Sequence, residues 1–257
     1  MKINLMNLFK KKTSIKKLLI IHITHHKSGT YWFGHILTDI AKEFKLKLQI
    51  CDQNKLKKDT EIWLFPDSDL NTINFEKLNR PYKGTHMIRD PRDKIVSGYF
   101  YHLWCDEEWF RKKNNRLNQS FQEILNSINK KDGLLLEIWE LRNQLQHMNS
   151  CWDYNNPNIL EIKYEDVLLN PEKWFPIIFR KWGFEEKDMP VLMEIAKKHH
   201  FNNRAKRKLG EEKKGEHLRQ GLPGDWKNHF TPKLKRIFKN LFGDWLIKLG
   251  YEKDKGW

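Results

Sequence analysis

Lys27-Ser28-Gly29-Thr30 brings together one positive charge, two hydroxyls and a glycine that lets backbone N–H groups curl toward an anion. The apolar run from Lys17 to Thr24 (KLLIIHIT) leads into these four residues. Phe33, Ile36, Leu37, Ile40, Ala41 and Phe44 follow at three- and four-residue steps. The loop therefore joins a buried strand to the start of an amphipathic helix. At such a junction the free backbone N–H groups and the helix dipole both favour negative charge. An ATPase-type loop carries its lysine after the last glycine, whereas here Lys27 precedes Gly29. In isolation the same four residues read equally well as an ordinary connection.

The segment from His86 to His102, HMIRDPRDKIVSGYFYH, repeats the arrangement. A strand over Gly84–Ile88 ends at a cation, Arg89. Asp90 is then placed to cap a helix, and Pro91 to begin it where no N–H is required. Ile95, Val96, Tyr99, Phe100 and Leu103 are expected on its buried face. Ser97 lies about two turns in, on a different face. Two strand-to-helix anion sites in one sheet imply a ligand with two separate phosphate-like groups.

Positioning these residues requires a scaffold, and the remaining pattern supplies one. Leu46, Leu48 and Ile50 alternate as a second strand, Glu61–Phe65 reads as a third and Ile159–Lys163 as a fifth. Asn170-Pro171 and Thr231-Pro232 repeat the cap-and-proline start before two more helices. Strands alternating with helices predict a single α/β domain: a central, mostly parallel sheet of about five strands flanked by helices, with a P-loop-like strand-loop-helix placed for an anion. The stretch from Asn202 to Gly224, dense in lysine and arginine, reads as the most loop-like region.

The apolar fraction is 39%, including 15 Phe and 11 Trp, enough for a core in a chain of 257 residues. A net charge of +15 points to an anionic partner: nucleic acid, an acidic membrane surface or a multiply charged nucleotide. Cys51, Cys105 and Cys151 have neither disulfide-framework nor zinc spacing, which fits a reducing compartment. His25-His26 and His199-His200 lack a third partner at metal spacing, so no metal is expected. Residues 1–16 form a basic arm ahead of a domain over 17–257. The arm's apolar run is short for a signal peptide, and no window is long enough to span a membrane. A cytoplasmic protein without stable membrane insertion is expected.

Four segments in order resemble the signatures of sulfotransferases that use 3′-phosphoadenosine 5′-phosphosulfate (PAPS). They are His26-Lys27-Ser28-Gly29-Thr30-Tyr31-Trp32; Arg89 to Tyr99; Tyr164-Glu165-Asp166 through Pro171; and Arg219-Gln220-Gly221 through Gly224-Asp225-Trp226-Lys227 to Phe230-Thr231. The resemblance implies that the loop from Lys27 to Trp32 wraps the 5′-phosphosulfate. It implies that Arg89, Ser97 and Arg219–Gly221 hold the 3′-phosphate. Tyr164 would lie near an adenine sandwiched by Trp32 and Phe201. The reaction implied is in-line sulfuryl transfer to a hydroxyl or amine of a small-molecule or glycan acceptor. Lys27 would steady the leaving bisphosphate, and neither metal nor nucleic acid would take part. A nucleotide or small-molecule kinase fits the lysine position less well, and a basic nucleic-acid-binding module leaves the four motifs unexplained.

The chain departs from the family's pattern at four places. His26 replaces a proline, read as a change in loop stiffness more than chemistry. Gln220 replaces a lysine, which removes a charge from the 3′-phosphate site, and Tyr31 replaces a threonine. The family's catalytic histidine should follow the third strand, where this chain reads Phe65-Pro66-Asp67-Ser68-Asp69. Asp67 is the expected base, with His22, His86 and His102 as rivals. Trp104, Trp109 and Phe110 are candidate walls of an acceptor pocket, with core packing as the other reading.

Overall fold

The computed structural model describes residues 18–66, 69–114 and 116–257; the arm over residues 1–16 and Asp67 lie outside them. Strands β1 (Leu19–Ile23), β2 (Leu48–Ile50), β3 (Ile62–Phe65), β4 (Tyr82–Ile88) and β5 (Ile159–Lys163) form one sheet. Its order is β2-β3-β1-β4-β5, and every neighbouring pair is parallel. The expected sheet of about five strands is therefore present, wholly rather than mostly parallel. Ile23 is level with Phe65 and His86, and Ile88 with Lys163, so four strands end along one edge. Ligands bind along such an edge where the strand order reverses, and here it reverses at β1.

The sheet is covered on both faces. Leu19, Ile21 and Ile23 join Trp63 and Phe65 in one apolar core, beneath helices α5 (Lys130–Ser150) and α10 (Pro232–Lys248). Ile20, Ile62, Leu64 and Met87 join Phe33, Phe175 and Phe179 in the other, under α1 (Thr30–Glu43) and α7 (Pro171–Trp182). Each such side chain, when fully buried, contributes about 1.5–3 kcal/mol. Helices α2 (Pro91–His102), α3 (Glu108–Arg111), α4 (Phe121–Ser127), α6 (Tyr164–Leu169), α8 (Met189–His199) and α9 (Phe201–Ala205) complete the described α-helices.

Asp90 caps α2 as expected, accepting from the Arg92 N–H at 2.9 Å, and Thr231 caps α10 through the Leu234 N–H. Asn170 differs: it also terminates α6, and its side chain makes no cap for α7. Helix α2 departs from its periodic reading. Phe100 and Leu103 are only partly buried, whereas Arg92, Asp93, Lys94 and His102 are buried. The reason is that α2 meets α4, α5 and the segment around Asp225–Asn228, and those partners supply polar groups for its charged side chains.

Candidate active site

The loop after β1 turns sharply, with Lys27 at φ 61° and Gly29 at φ 95°. A left-handed lysine costs of order 1 kcal/mol and is held only where its surroundings demand it. Here the demand is local: Arg89, at the end of β4, donates from Nη1 to the Lys27 carbonyl at 2.7 Å. Gly29 has no substitute, because a Cβ would sit 3.0 Å from Met87 Sδ and 3.2 Å from the Tyr164 ring. Thr30 donates to the His25 carbonyl at 3.1 Å. The Lys27 ammonium lies 3.6 Å from the centre of the Tyr101 ring. Desolvation, and after it the Arg89 charge, lower its pKa to about 7.

A cavity of about 550 Å³ opens above the loop, lined by Lys27, Gly29, Thr30, Tyr31, Trp32, Arg89, Ser97 and Tyr164 among others. It continues past Arg89, Ser97, Tyr164, His217 and Leu218 into a smaller cleft that adds Phe201, Arg219, Gln220 and Gly221. The structure thus brings together along one edge of the sheet every donor-site residue that the sequence nominates, with Ser28 buried in the same loop. The stretch Asn202–Gly224 closes over this space through His217 and Leu218, and Asp93 pins its end by accepting from the Gly224 and Trp226 N–H groups.

Several charges are already engaged. Arg219 pairs with Asp225 and Glu212 and lies over the Phe100 ring. Gln220, with its amide nitrogen turned inward, donates to both Asp225 oxygens at 2.9 and 3.0 Å. Burial would raise the Asp225 carboxyl, yet hydrogen bonds from His229, Arg219 and Asn228 hold it well below the usual carboxylate range. Tyr31 is 46% exposed and its hydroxyl accepts from Arg204, so that hydroxyl has moved outward from the loop. Ser28 Oγ, Trp32 Nε1, Arg89 Nε and Arg204 Nη1 are buried without a partner among the described residues. All four belong to the loop, its helix or the flanking cations.

A second cavity of about 300 Å³ meets the first at His26 and Lys27, which line both. Lys94, Gly98, His102, Trp109, Glu137 and His147 form part of its wall. His26 Nε2 lies 2.9 Å from His102 Nε2, and His102 Nδ1 lies 2.7 Å from Glu137 Oε1. Burial raises the Glu137 carboxyl well above its ordinary value and lowers both histidines. Trp109 lines this cavity and Trp104 the larger one, whereas Phe110 is fully buried against His102. His22 is enclosed, stacked on Phe33 with Nδ1 on the Thr85 hydroxyl. His86 is also enclosed, between His25 and Glu161. Among the described residues no group of three or more His, Cys, Asp or Glu is arranged to hold a metal ion.

Sequence reasoning read His26 only for loop stiffness and passed over Lys94, His217 and Glu137. Glu137 left a signal, since it shares a helix row with the buried Leu134, Ile138 and Leu145. A carboxylate on an apolar row has to find a partner.

A family model described as "Sulfotransferase domain" matches residues 17–250. The chain is 24% identical over 249 residues to a 3-alpha-hydroxysteroid sulfotransferase of Cavia porcellus, covering 86% of this chain and 81% of that one. It is 24% identical over 258 residues to sulfotransferase 2A1 of Homo sapiens, covering 91% and 86%. Among solved structures, mouse sulfotransferase SULT7A1 complexed with PAP shares the fold at a TM-score of 0.50 and 21% identity. That match covers 91% of this chain and 88% of the other.

Proposed function

The chain belongs to the sulfotransferase domain family, and on that premise we propose that it transfers the sulfuryl group of PAPS to a hydroxyl or amine of a small-molecule or glycan acceptor. The observation that carries the donor assignment is the pair of unpartnered buried donors, Trp32 Nε1 and Arg89 Nε, on side chains that line one cavity, with the unpartnered Ser28 Oγ buried in its loop. Buried donors without partners are rare in folded chains, and an anion rich in acceptor oxygens satisfies them. Lys27 to Trp32 wrap the phosphosulfate, and Lys27 offsets charge on the bridging oxygen as it leaves. Arg89, Ser97 and the Arg219–Gly221 segment take the 3′-phosphate, Arg219 keeping Asp225 as its second partner. The adenine lies by Tyr164, between Trp32 and Phe201. The acceptor enters by the second cavity, so its nucleophile meets the donor beside Lys27. A cytoplasmic location belongs to the same proposal; no described helix is long and apolar enough to cross a membrane.

The test is calorimetry without metal, comparing adenosine 3′,5′-bisphosphate (PAP) with adenosine 5′-monophosphate, ATP with magnesium, and an oligonucleotide. The bisphosphate should bind tightest. Its extra phosphate adds charge-assisted contacts of about 1.5–3 kcal/mol, a tenfold or larger gain over the monophosphate. Equal affinity for the two adenosine nucleotides would remove the second anion site and the assignment with it.

A further inference from the structure

The hydrogen bonds at the junction of the two cavities couple the proton positions of three residues, so the charge on Glu137 sets the other two. Glu137 is 4% exposed and His102 2%, so water does not compete for either group. With Glu137 ionised, the form that the Lys27 charge favours against its burial, the carboxylate only accepts, so His102 carries its proton on Nδ1 and leaves Nε2 as a lone pair. That lone pair faces His26 Nε2 at 2.9 Å, so His26 must donate from Nε2. The ring planes differ by 18°, which lets the two nitrogens meet edge to edge. His26 Nδ1 is then left as a lone pair, with no hydrogen-bond partner among the described residues, on a ring that lines both cavities.

We infer that His26 is the group that deprotonates the acceptor, with His102 and Glu137 as positioning residues that fix its tautomer. This rests on the sulfuryl-transfer reading above. In the reaction the acceptor O–H bond breaks and its proton passes to His26 Nδ1. The acceptor oxygen forms the new O–S bond. The S–O bond to the 5′-phosphate breaks, and its electron pair leaves with the bisphosphate against Lys27. The proton stays on His26, whose imidazolium donates from Nε2 to His102 Nε2, and the Glu137 charge behind His102 stabilises it. Burial and the neighbouring Lys27 disfavour that cation in the free protein. A bound polyanionic donor offsets Lys27 and removes part of the opposition. The residue that takes the proline's place in the loop therefore changes chemistry, not only stiffness.

The inference is tested on the full chain with ¹⁵N-labelled histidine in the presence of PAP, and separately by turnover. NMR should show His26 protonated at Nε2 and bare at Nδ1, and Glu137→Gln should disturb that tautomer. A His26 carrying its proton on Nδ1 overturns the inference, and this arm needs no acceptor. For turnover the probes are benzyl alcohol, which needs a base, and 4-nitrophenol at mildly alkaline pH, which arrives largely ionised. His26→Gln should slow the alcohol about 10²–10³-fold and the phenol less than about tenfold, with PAP affinity unchanged. Glu137→Gln should slow the alcohol by about tenfold. Equal loss on both acceptors, or a selective loss in Asp67→Asn with His26→Gln active, overturns it in favour of a structural role or of Asp67. Failure of PAP to bind the unaltered chain would instead remove the sulfuryl-transfer reading beneath it.

Discussion

His25 and His26 are adjacent in the chain, and each ends a carboxylate–histidine–histidine relay, but the two relays open at opposite ends. In the first, Glu137 and His102 are buried and His26 lines the cavities. In the second, His25 and His86 are 0% exposed and 2.7 Å apart, while Glu161 is 27% exposed and accepts from His86 at 2.7 Å. Trp152 holds the other Glu161 oxygen at 2.7 Å, and His25 Nδ1 is buried without a partner among the described residues. The bonding is the same, so bonding alone does not make a base. Access at the histidine end does. The enclosed relay joins the loop after β1 to cross-strand neighbours His86 on β4 and Glu161 on β5, a structural tie across half the sheet.

Three substitutions bear on this contrast. The largest effect is expected from Lys27→Ala, where the open relay meets the anion cavity. Turnover at saturating donor should fall about 10²–10³-fold, while thermal unfolding stays near that of the unaltered chain. Near-normal turnover would place the reaction somewhere other than this junction. Next comes His86→Leu in the enclosed relay, which strands His25 Nε2 without its partner. Unfolding stability should drop by about 1–3 kcal/mol in denaturant titration, with PAP affinity in the folded chain unaltered. A catalytic defect without a stability defect would erase the difference between the relays. The smallest effect is expected from Gly98→Ala. Its new Cβ would lie 2.8 Å from Glu137 Oε2 and 3.3 Å from His102 Cε1, so the carboxylate must shift out of register. Alcohol turnover should fall severalfold, while the gain in helix propensity offsets up to about 1 kcal/mol of the strain in stability. Unchanged turnover would mean that Glu137 does not fix the relay.

The sheet was legible because its signal is local. Apolar runs such as Leu19–Ile23 and Ile62–Phe65 are buried on both faces, and Asp90-Pro91 marks a helix start whatever surrounds it. The loop after β1 was legible for the same reason, since Lys27 to Trp32 are contiguous. The relays were not, because they join residues 61 and 76 positions apart at their histidine pairs, and hydrophobic spacing carries no record of that. Helix α2 shows the limit most directly. Its periodic row predicted burial for Phe100 and Leu103, but burial of Arg92, Asp93 and Lys94 depends on partners from distant segments: Glu252, Gly224, Trp226 and Gln144.

If Lys27 takes the nucleotide as proposed, its side chain, resting on Tyr101 with a pKa lowered to about 7, makes that capture a proton-coupled event. In the empty site the lysine loses its charge as pH rises through the neutral range, because burial and Arg89 disfavour the ammonium. A phosphosulfate or bisphosphate favours the ammonium and raises its pKa, so binding must draw a proton from solution. Below pH 7 Lys27 is already charged and affinity is independent of this group. Above it each bound nucleotide must be matched by a proton, and affinity falls by up to about tenfold per pH unit until the bound-state pKa is passed. Calorimetry in buffers of differing ionisation enthalpy reads the uptake directly, as a fraction of a proton per nucleotide that grows as pH is raised above neutral. A buffer-independent enthalpy would mean that Lys27 is charged before the nucleotide arrives.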